Sequence, residues 1–516
     1  MGSLALLCMV SGALLASAGL LAAEPPRHVV VIVWDGMRPD FISEQNTPAL
    51  VGLARQGVTF RNHHSVFLSS TEVNGTAIST GAYPAHDGII GNNEYRPALE
   101  PLKPIHTENL TAVRKGDGLT GGHYLRRPTI AEIVRQAGRQ AVVAGAKPVA
   151  LLADRKPESP SNGGVNIFAG AALPASLLTL LTNRYGAFPA ETSLESTRND
   201  WTTLAMIDPL WGREVPAFSF LWLNEPDFSQ HQTGPGSERS LAAMRNADEN
   251  LARIVRAVES SGAHDTDIIV VSDHGCSTVF AGADLAESLT RSGIKATREF
   301  KSKPSQGDIL IVSNGGSTFV YVIGHEEGSI RQVVRFLQQW EFTGVIFCRK
   351  PAAGTFSLAE ACIDSDEAPD IVVSMRWTPD KNKNGTAGMI ASDASSYARG
   401  QGSHVSLSPF DMHATLVAAG PHFRRGVVST LASGNVDIAP TVLWILGLKG
   451  PRGMDGRVLT EGLTIKGPPV RSFEPRHIEA REDSGGSIWA QYLNLTEVNG
   501  VRYLDEGNGK TGKTSK

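Results

Sequence analysis

Seven polar residues, spread over most of the chain, have the types and spacing of a two-metal centre. Asp35 closes the apolar run His28–Trp34 and precedes Gly36. Asp227 and His231 follow the run Ala217–Leu223, within Glu-Pro-Asp-Phe-Ser-Gln-His. Asp273 and His274 follow Asp267–Ser272, within Ser-Asp-His-Gly, and His404 sits in Gly-Ser-His. Thr71 lies in Ser-Ser-Thr-Glu-Val-Asn-Gly. Catalytic zinc takes imidazole nitrogen and carboxylate oxygen, with three protein ligands and one position open. Asp227 and His231, spaced i, i+4, share one face of a helical turn, and His404 completes an Asp/His/His set. Asp35, Asp273 and His274 form a second set, with the Thr71 hydroxyl at its open position. A hydroxyl held by a divalent cation gives up its proton readily, which makes threonine a nucleophile near neutral pH. Two such ions about 4 Å apart suit in-line displacement at phosphorus. The ligand types point to Zn²⁺, although Mn²⁺ or Fe also accepts nitrogen and oxygen donors.

Such a set converges only if the chain places its members at one edge. Three of the clusters follow buried-strand patterns, the edge where open α/β sheets build ligand sites. Strand-like runs alternate with helical ones: Thr47–Gln56, Pro128–Gln136, Leu173–Thr182 and the stripe Leu241–Val258 read as helices, and Ala141–Ala146 as a buried strand. This order predicts a three-layer α/β sandwich with a mostly parallel central sheet. Glu72–Thr80, bounded by Gly81, reads as a short helix with Thr71 at its start, where free N–H groups favour a phosphoryl anion. Residues 97–127 read as a long excursion. The segment 276–402 carries its own signals at Ile309–Val312, Thr318–Ile323, Ile330–Gln339 and Ile371–Met375 and reads as an inserted cap. The core is then expected in 24–275 and 403–470, re-entered through Ala414–Ala419 and the helix Ala439–Leu446. Residues 471–516 read as a C-terminal hairpin, turned at Asn499-Gly500, with a disordered tail from Gly507 to Lys516.

The whole chain is compatible with this. Its 516 residues are 41% hydrophobic and 19% charged with a net charge of -4, which argues against a nucleic-acid polymer or an acidic membrane as partner. Residues 4–23 form an apolar run ending in small residues, read as a signal peptide over 1–23. Export to the periplasm or medium follows, with no stable membrane span left after cleavage. Cys276, Cys348 and Cys362 then remain, and an oxidising compartment permits a Cys348–Cys362 disulfide as readily as three thiols. His63 and His64 read as structural. His413 reads as the start of a strand, so His404 is the preferred ligand.

Val-Trp-Asp-Gly-Met-Arg-Pro-Asp at 33–40, Thr-Pro-Ala-Leu at 47–50 and Gly-Ala-Tyr-Pro through Gly-Asn at 81–92 resemble the type I nucleotide pyrophosphatase/phosphodiesterase family of the alkaline phosphatase superfamily. Asn-Glu-Pro-Asp-Phe-Ser-Gln-His-Gln-Thr-Gly-Pro at 224–235 and Ser-Asp-His-Gly at 272–275 are similar to it as well. The resemblance implies an alkaline-phosphatase-like fold, Thr71 as nucleophile and the two ligand sets above. It also implies that Asn92 holds a phosphoryl oxygen, and that a phosphothreonine forms and is hydrolysed. The implied substrate is a small phosphorylated molecule cleaved at a phosphodiester or pyrophosphate bond. Two departures bear on which. Glu72-Val73-Asn74-Gly75 stands where nucleotide-cleaving relatives have Phe-Pro-Asn-His, so no aromatic face is offered to a base and a carboxylate faces an anionic substrate. Lys147, after Ala141–Ala146, stands near the place where relatives acting on monoesters or phosphonates bind the extra phosphoryl charge. A phosphomonoesterase or phosphonate hydrolase is therefore the alternative, and an inactive exported binding protein is a third reading.

Overall fold

The computed structural model describes residues 27–156, 164–190, 196–212, 214–393 and 397–513. The signal-peptide segment lies outside the described residues. The strand His28–Trp34 is the middle of a nine-stranded sheet because nearly every side chain in it is apolar and both faces are covered. Val29, Val31 and Val33 point into one core with helices Thr71–Thr80, Ile130–Gln136 and Ile438–Ile445. Val30, Ile32 and Trp34 point into the other, against Pro48–Gln56, Ser196–Ala205 and Glu238–Ser261. The alternation of a pleated strand thus defines two helical layers around one sheet.

His28–Trp34 pairs in parallel with Thr266–Val271 on one side and Phe218–Leu223 on the other. Ala141–Gly145 and Gly164–Phe168 extend the parallel run. Leu416–Ala419 re-enters antiparallel beside Thr266–Val271, and Ala171–Leu173 closes the far edge antiparallel. The sheet is therefore mixed, with most strands parallel.

The chain between Cys276 and Gly402 builds a six-stranded sheet that includes Ile309–Ser313, Ser317–Val322 and Ile371–Met375, with Thr343–Cys348 beside the last. Helices Leu285–Arg291 and Glu327–Leu337 pack on it. The three-stranded sheet Phe473–Asp483, Ser487–Val498 and Val501–Lys513 adds Leu493, Leu495 and Leu504 to a core shared with that sheet.

Three readings are corrected and one left open is decided. The chain Gly507–Lys513 is not a disordered tail but the end of a strand, with Ile488 opposite Gly512. Gly509 is required there because a Cβ would meet the Gly344 carbonyl at 2.3 Å and the Trp489 ring at 2.6 Å. The helix expected at Leu173–Thr182 runs Ser176–Tyr185, because Leu173 precedes a proline and is held extended. The excursion 97–127 contains a helix, Leu110–Thr120, capped by the Asn109 side chain, which accepts from Thr111 and Ala112 N–H. Of the two states left open for Cys348 and Cys362, the structure has the thiols: Cys276, Cys348 and Cys362 are all free. The Asn-Gly turn is as read: Asn499 and Gly500 both have positive φ, and Val498 pairs with Val501.

Candidate active site

Asp35, Asp227, Asp273 and His274 all leave the same edge of the sheet, just past the ends of three neighbouring parallel strands. Gly36 makes the first turn possible. Its φ is +71°, and a Cβ there would press on Asp227 Cβ at 3.0 Å. The Asp227 N–H donates to the Asp35 carbonyl at 3.0 Å and Gln230 Nε2 to the Gly36 carbonyl at 2.9 Å, which fixes the helix Asp227–Thr233 against the strand end.

Three imidazoles are oriented alike. Nδ1 of His231 lies 2.9 Å from the Gly402 carbonyl, that of His404 2.9 Å from the Ser69 carbonyl, and that of His274 2.8 Å from the Gly275 carbonyl. A carbonyl can only accept, so each Nδ1 carries a hydrogen, and each ring, once its Nε2 has no proton, turns a lone pair inward. Opposite them lie three buried carboxylate oxygens with no hydrogen-bond partner: Asp35 Oδ1, Asp227 Oδ1 and Asp273 Oδ2. His274 Nε2 is 3.1 Å from Asp273 Oδ2 and 3.5 Å from Asp35 Oδ1. Asp227 Oδ1 is 3.2 Å from His231 Nε2 and 3.7 Å from His404 Nε2. Acceptors facing acceptors in a buried space cost several kcal/mol unless cations stand between them. The donor set therefore fits divalent metal ions.

Here Asp35/Asp273/His274 and Asp227/His274/His404 form two groups whose ligand atoms lie within 4.8 Å of one another. His274 and His404 are stacked at 3.6 Å between centroids, so the two sets share a wall. His231 joins through Asp227 and is backed by the Tyr397 ring at 4.1 Å. Thr71 Oγ1 lies 3.2 Å from His274 Nε2. It opens the buried helix Thr71–Thr80, whose first-turn N–H groups face the same space. The N–H of Glu72 donates to Asn92 Oδ1 at 3.2 Å, so the amide nitrogen of Asn92 remains as the donor for a ligand.

Lys147 is no solvated strand-end lysine. Its Nζ donates to Asp35 Oδ2 at 2.8 Å and Asp227 Oδ2 at 2.9 Å, and reaches Thr71 Oγ1 at 3.4 Å. Burial disfavours its charge, but Asp227 and Asp35 outweigh burial and hold its ammonium well above the ordinary value. Asp35 itself is pushed up by burial and then by Asp273, against Lys147. Burial lowers the His274 imidazole, yet Asp273 and Asp35 hold it up at about 9. His404 is driven well down by burial and then by His274.

Glu72 lines the same cavity of about 530 Å³. Burial, then repulsion from Glu108, pushes its carboxyl well above the carboxylate range. Burial therefore disfavours the charge that would repel an anionic substrate, with Lys147 opposing that shift. Trp222 Nε1–H donates to Asp35 Oδ2 at 2.8 Å. Trp222, Glu108 and Tyr397 were not singled out in the sequence; a tryptophan as the penultimate residue of a buried strand is the one signal among them. Val405, directly after His404, has φ +80°, a conformation costly for a β-branched residue.

A family model, Type I phosphodiesterase / nucleotide pyrophosphatase, matches residues 29–339. The chain belongs to this family. The phosphodiesterase is 22% identical over 433 residues to the mouse bis(5'-adenosyl)-triphosphatase enpp4, covering 83% of this chain and 79% of that one. It is 24% identical over 270 residues to human ectonucleotide pyrophosphatase/phosphodiesterase family member 7, covering 50% of each. Murine ectonucleotide pyrophosphatase/phosphodiesterase 5 has the same fold, with a TM-score of 0.61 at 16% identity over 85% of this chain and all of that one. An inactive variant of that protein in complex with AMP gives a TM-score of 0.60. The phosphodiesterase is accordingly an enzyme of phosphate-ester hydrolysis with an alkaline-phosphatase-like α/β fold, and its ligand clusters are compatible with the metal dependence of the family.

Proposed function

We propose that this phosphodiesterase is exported and cleaves a phosphodiester or pyrophosphate bond through a phosphothreonine at Thr71. The observation that carries the proposal is the ring of three inward-facing Nε2 atoms and three unpartnered carboxylate oxygens beside the Thr71 hydroxyl. Asp35, Asp273 and His274 would hold one divalent ion, and Asp227, His231 and His404 the other, with Zn²⁺ the ion best suited to these donors. When bound, the ions supply positive charge that lowers the pKa of the Thr71 hydroxyl and offsets charge developing at phosphorus.

The chain's own groups do the rest. Thr71 gives its proton to solvent and forms the Oγ1–P bond as the bond from phosphorus to the leaving oxygen breaks in line, that oxygen keeping the electron pair and taking a proton from solvent. The first-turn N–H groups and the Asn92 amide donate to the phosphoryl oxygens, whose charge grows in the transition state. Water then attacks phosphorus and returns the Thr71 hydroxyl. The apolar N-terminal run supports export to the periplasm or medium, and among the described residues no helix is long and apolar enough to cross a membrane.

The adenosine compounds named for the relatives suggest a nucleotide substrate. A second reading is favoured by Lys147, whose ammonium near Thr71 suits the extra charge of a phosphomonoester or phosphonate. Hydrolysis of bis-p-nitrophenyl phosphate, p-nitrophenyl phosphate and a nucleotide p-nitrophenyl ester tests both. Diester turnover above monoester turnover, abolished in Thr71→Ala with metal content unchanged, is the expected result. Near-normal turnover in Thr71→Ala would remove the nucleophile. A preference for the monoester that Lys147→Ala erases would select the second reading.

A further inference from the structure

A second meeting of histidines and a carboxylate lies away from the catalytic centre. His64 ends the short strand His63–His64, which pairs with Ser433–Gly434. His413 follows the turn Pro409–Met412 and bridges His64 antiparallel. Asp505 comes from the last strand, Val501–Lys513. In that ladder Asn494 faces Glu506 and Leu495 faces Leu504, so Asp505 is the extra residue of a bulge. A bulge re-aims a side chain, and here it turns Asp505 toward the two rings. Asp505 Oδ1 lies 2.6 Å from His413 Nε2 and 3.2 Å from His64 Nε2.

The hydrogen positions decide what this cluster can hold. His64 Nδ1 is 3.1 Å from the Ser433 carbonyl, which only accepts, so Nδ1 carries the hydrogen. A neutral His64 therefore presents a lone pair to a carboxylate oxygen, and neither can donate. Desolvation lowers the His64 imidazole from its usual value, with the contact to Asp505 opposing it. A backbone carbonyl on the outer nitrogen is the usual support of a metal-bound histidine. His413 and Asp505 keep 36% and 38% of their side-chain surface exposed, which gives an ion a way in.

We propose that His64, His413 and Asp505 bind a third divalent transition ion of the zinc type, separate from the catalytic pair. Two imidazoles and a carboxylate are a sufficient protein set, with the solvent side left for water. The ion would pin the C-terminal three-stranded sheet to the segment that feeds the nucleophile helix. From the neighbouring His63 a hydrogen-bond chain runs inward: its Nε2 is 3.0 Å from Asn435 Oδ1, and Asn435 Nδ2 donates to Asn74 Oδ1 at 2.9 Å and to the Asp273 carbonyl at 2.8 Å.

The test is metal content of the full chain, loaded with zinc and freed of excess, by inductively coupled plasma and native mass spectrometry. Three ions per chain are expected, and two in His413→Ala with diester turnover within about threefold of the parent. Asp273→Ala, in contrast, should lose a catalytic ion and its turnover, so failure of the catalytic reading appears in a different variant. If His413→Ala does not fold, Asp505→Asn gives the same readout, with the third ion's affinity weakened at least about tenfold. A proton in place of the ion predicts the same metal count in parent and variants, and that result overturns the proposal.

Discussion

Lys147 is the internal cation of the metal-free centre, and removing it should matter most when the metals are absent. Its ammonium bridges two buried carboxylates, Asp35 at 2.8 Å and Asp227 at 2.9 Å, with side-chain exposures of 23%, 0% and 3%. Taking away one partner of a buried pair costs about 3–5 kcal/mol, because the remaining charge is left uncompensated. Unfolding entropy of about 2.1 cal/mol/K per residue, over a chain of this size, is roughly 1 kcal/mol/K. Lys147→Ala should therefore lower the melting temperature of chelator-stripped protein by about 3–5 °C, read by scanning calorimetry. In zinc-loaded protein the ions neutralise the same carboxylates, and the loss should shrink to about 1 °C. The cycle then requires zinc to bind the variant more tightly than the parent. Equal shifts in stripped and loaded protein would refute the assignment of Lys147 as a counter-ion to the ligand set.

Three further outcomes are expected. In stripped protein, His274 titrates near 9 against 6.5 for a free imidazole; its folded value is raised, so its stabilisation is full below about 6.5 and lost as pH climbs through about 9. The melting temperature of stripped protein should fall across that window while the loaded form stays flat, and a flat stripped profile would contradict the cause given. Asn92→Ala should lower kcat by about 10²- to 10³-fold with little change in KM, as for other donors to a developing anion; a pure KM effect in steady-state kinetics would reassign it to substrate docking. Asn74 is fully buried, donates to the Val66, Leu68 and Ser70 carbonyls and accepts from Val66 and Asn435. Asn74→Leu should destabilise by about 3 kcal/mol or more in chemical denaturation, and a loss under about 1 kcal/mol would mean that this network holds little.

The sheet and the convergence at its edge were legible because parallel strands buried on both faces write themselves as unbroken apolar runs, and the ligands follow directly on them. His28–Trp34 with Asp35 is such a signal, and Asp267–Ser272 with Asp273-His274 is another. What escaped reading depends on contacts far away in sequence. Residues 507–513 have the composition of a loose end, yet Gly509 is small so that Trp489 and Gly344 can approach it. Glu72 reads as a repelling charge, and only the fold reveals the burial beside Glu108 that disfavours that charge. His64 reads as structural and His413 as the start of a strand, with no sign in their local sequence that a bulge would turn Asp505 toward both.

The insertion between Asp273-His274 and His404 also sets an order of events during synthesis. The first metal set is complete in the chain once His274 has emerged, but His404 follows about 130 residues later. Leu416–Ala419, which completes the flank of Thr266–Val271, is made later still. A ribosome-bound or translocating chain therefore cannot close both cation sites until its intervening sheet has been delivered. On the proposed ligand assignment, the site completed by His404 is the last of the two to be assembled.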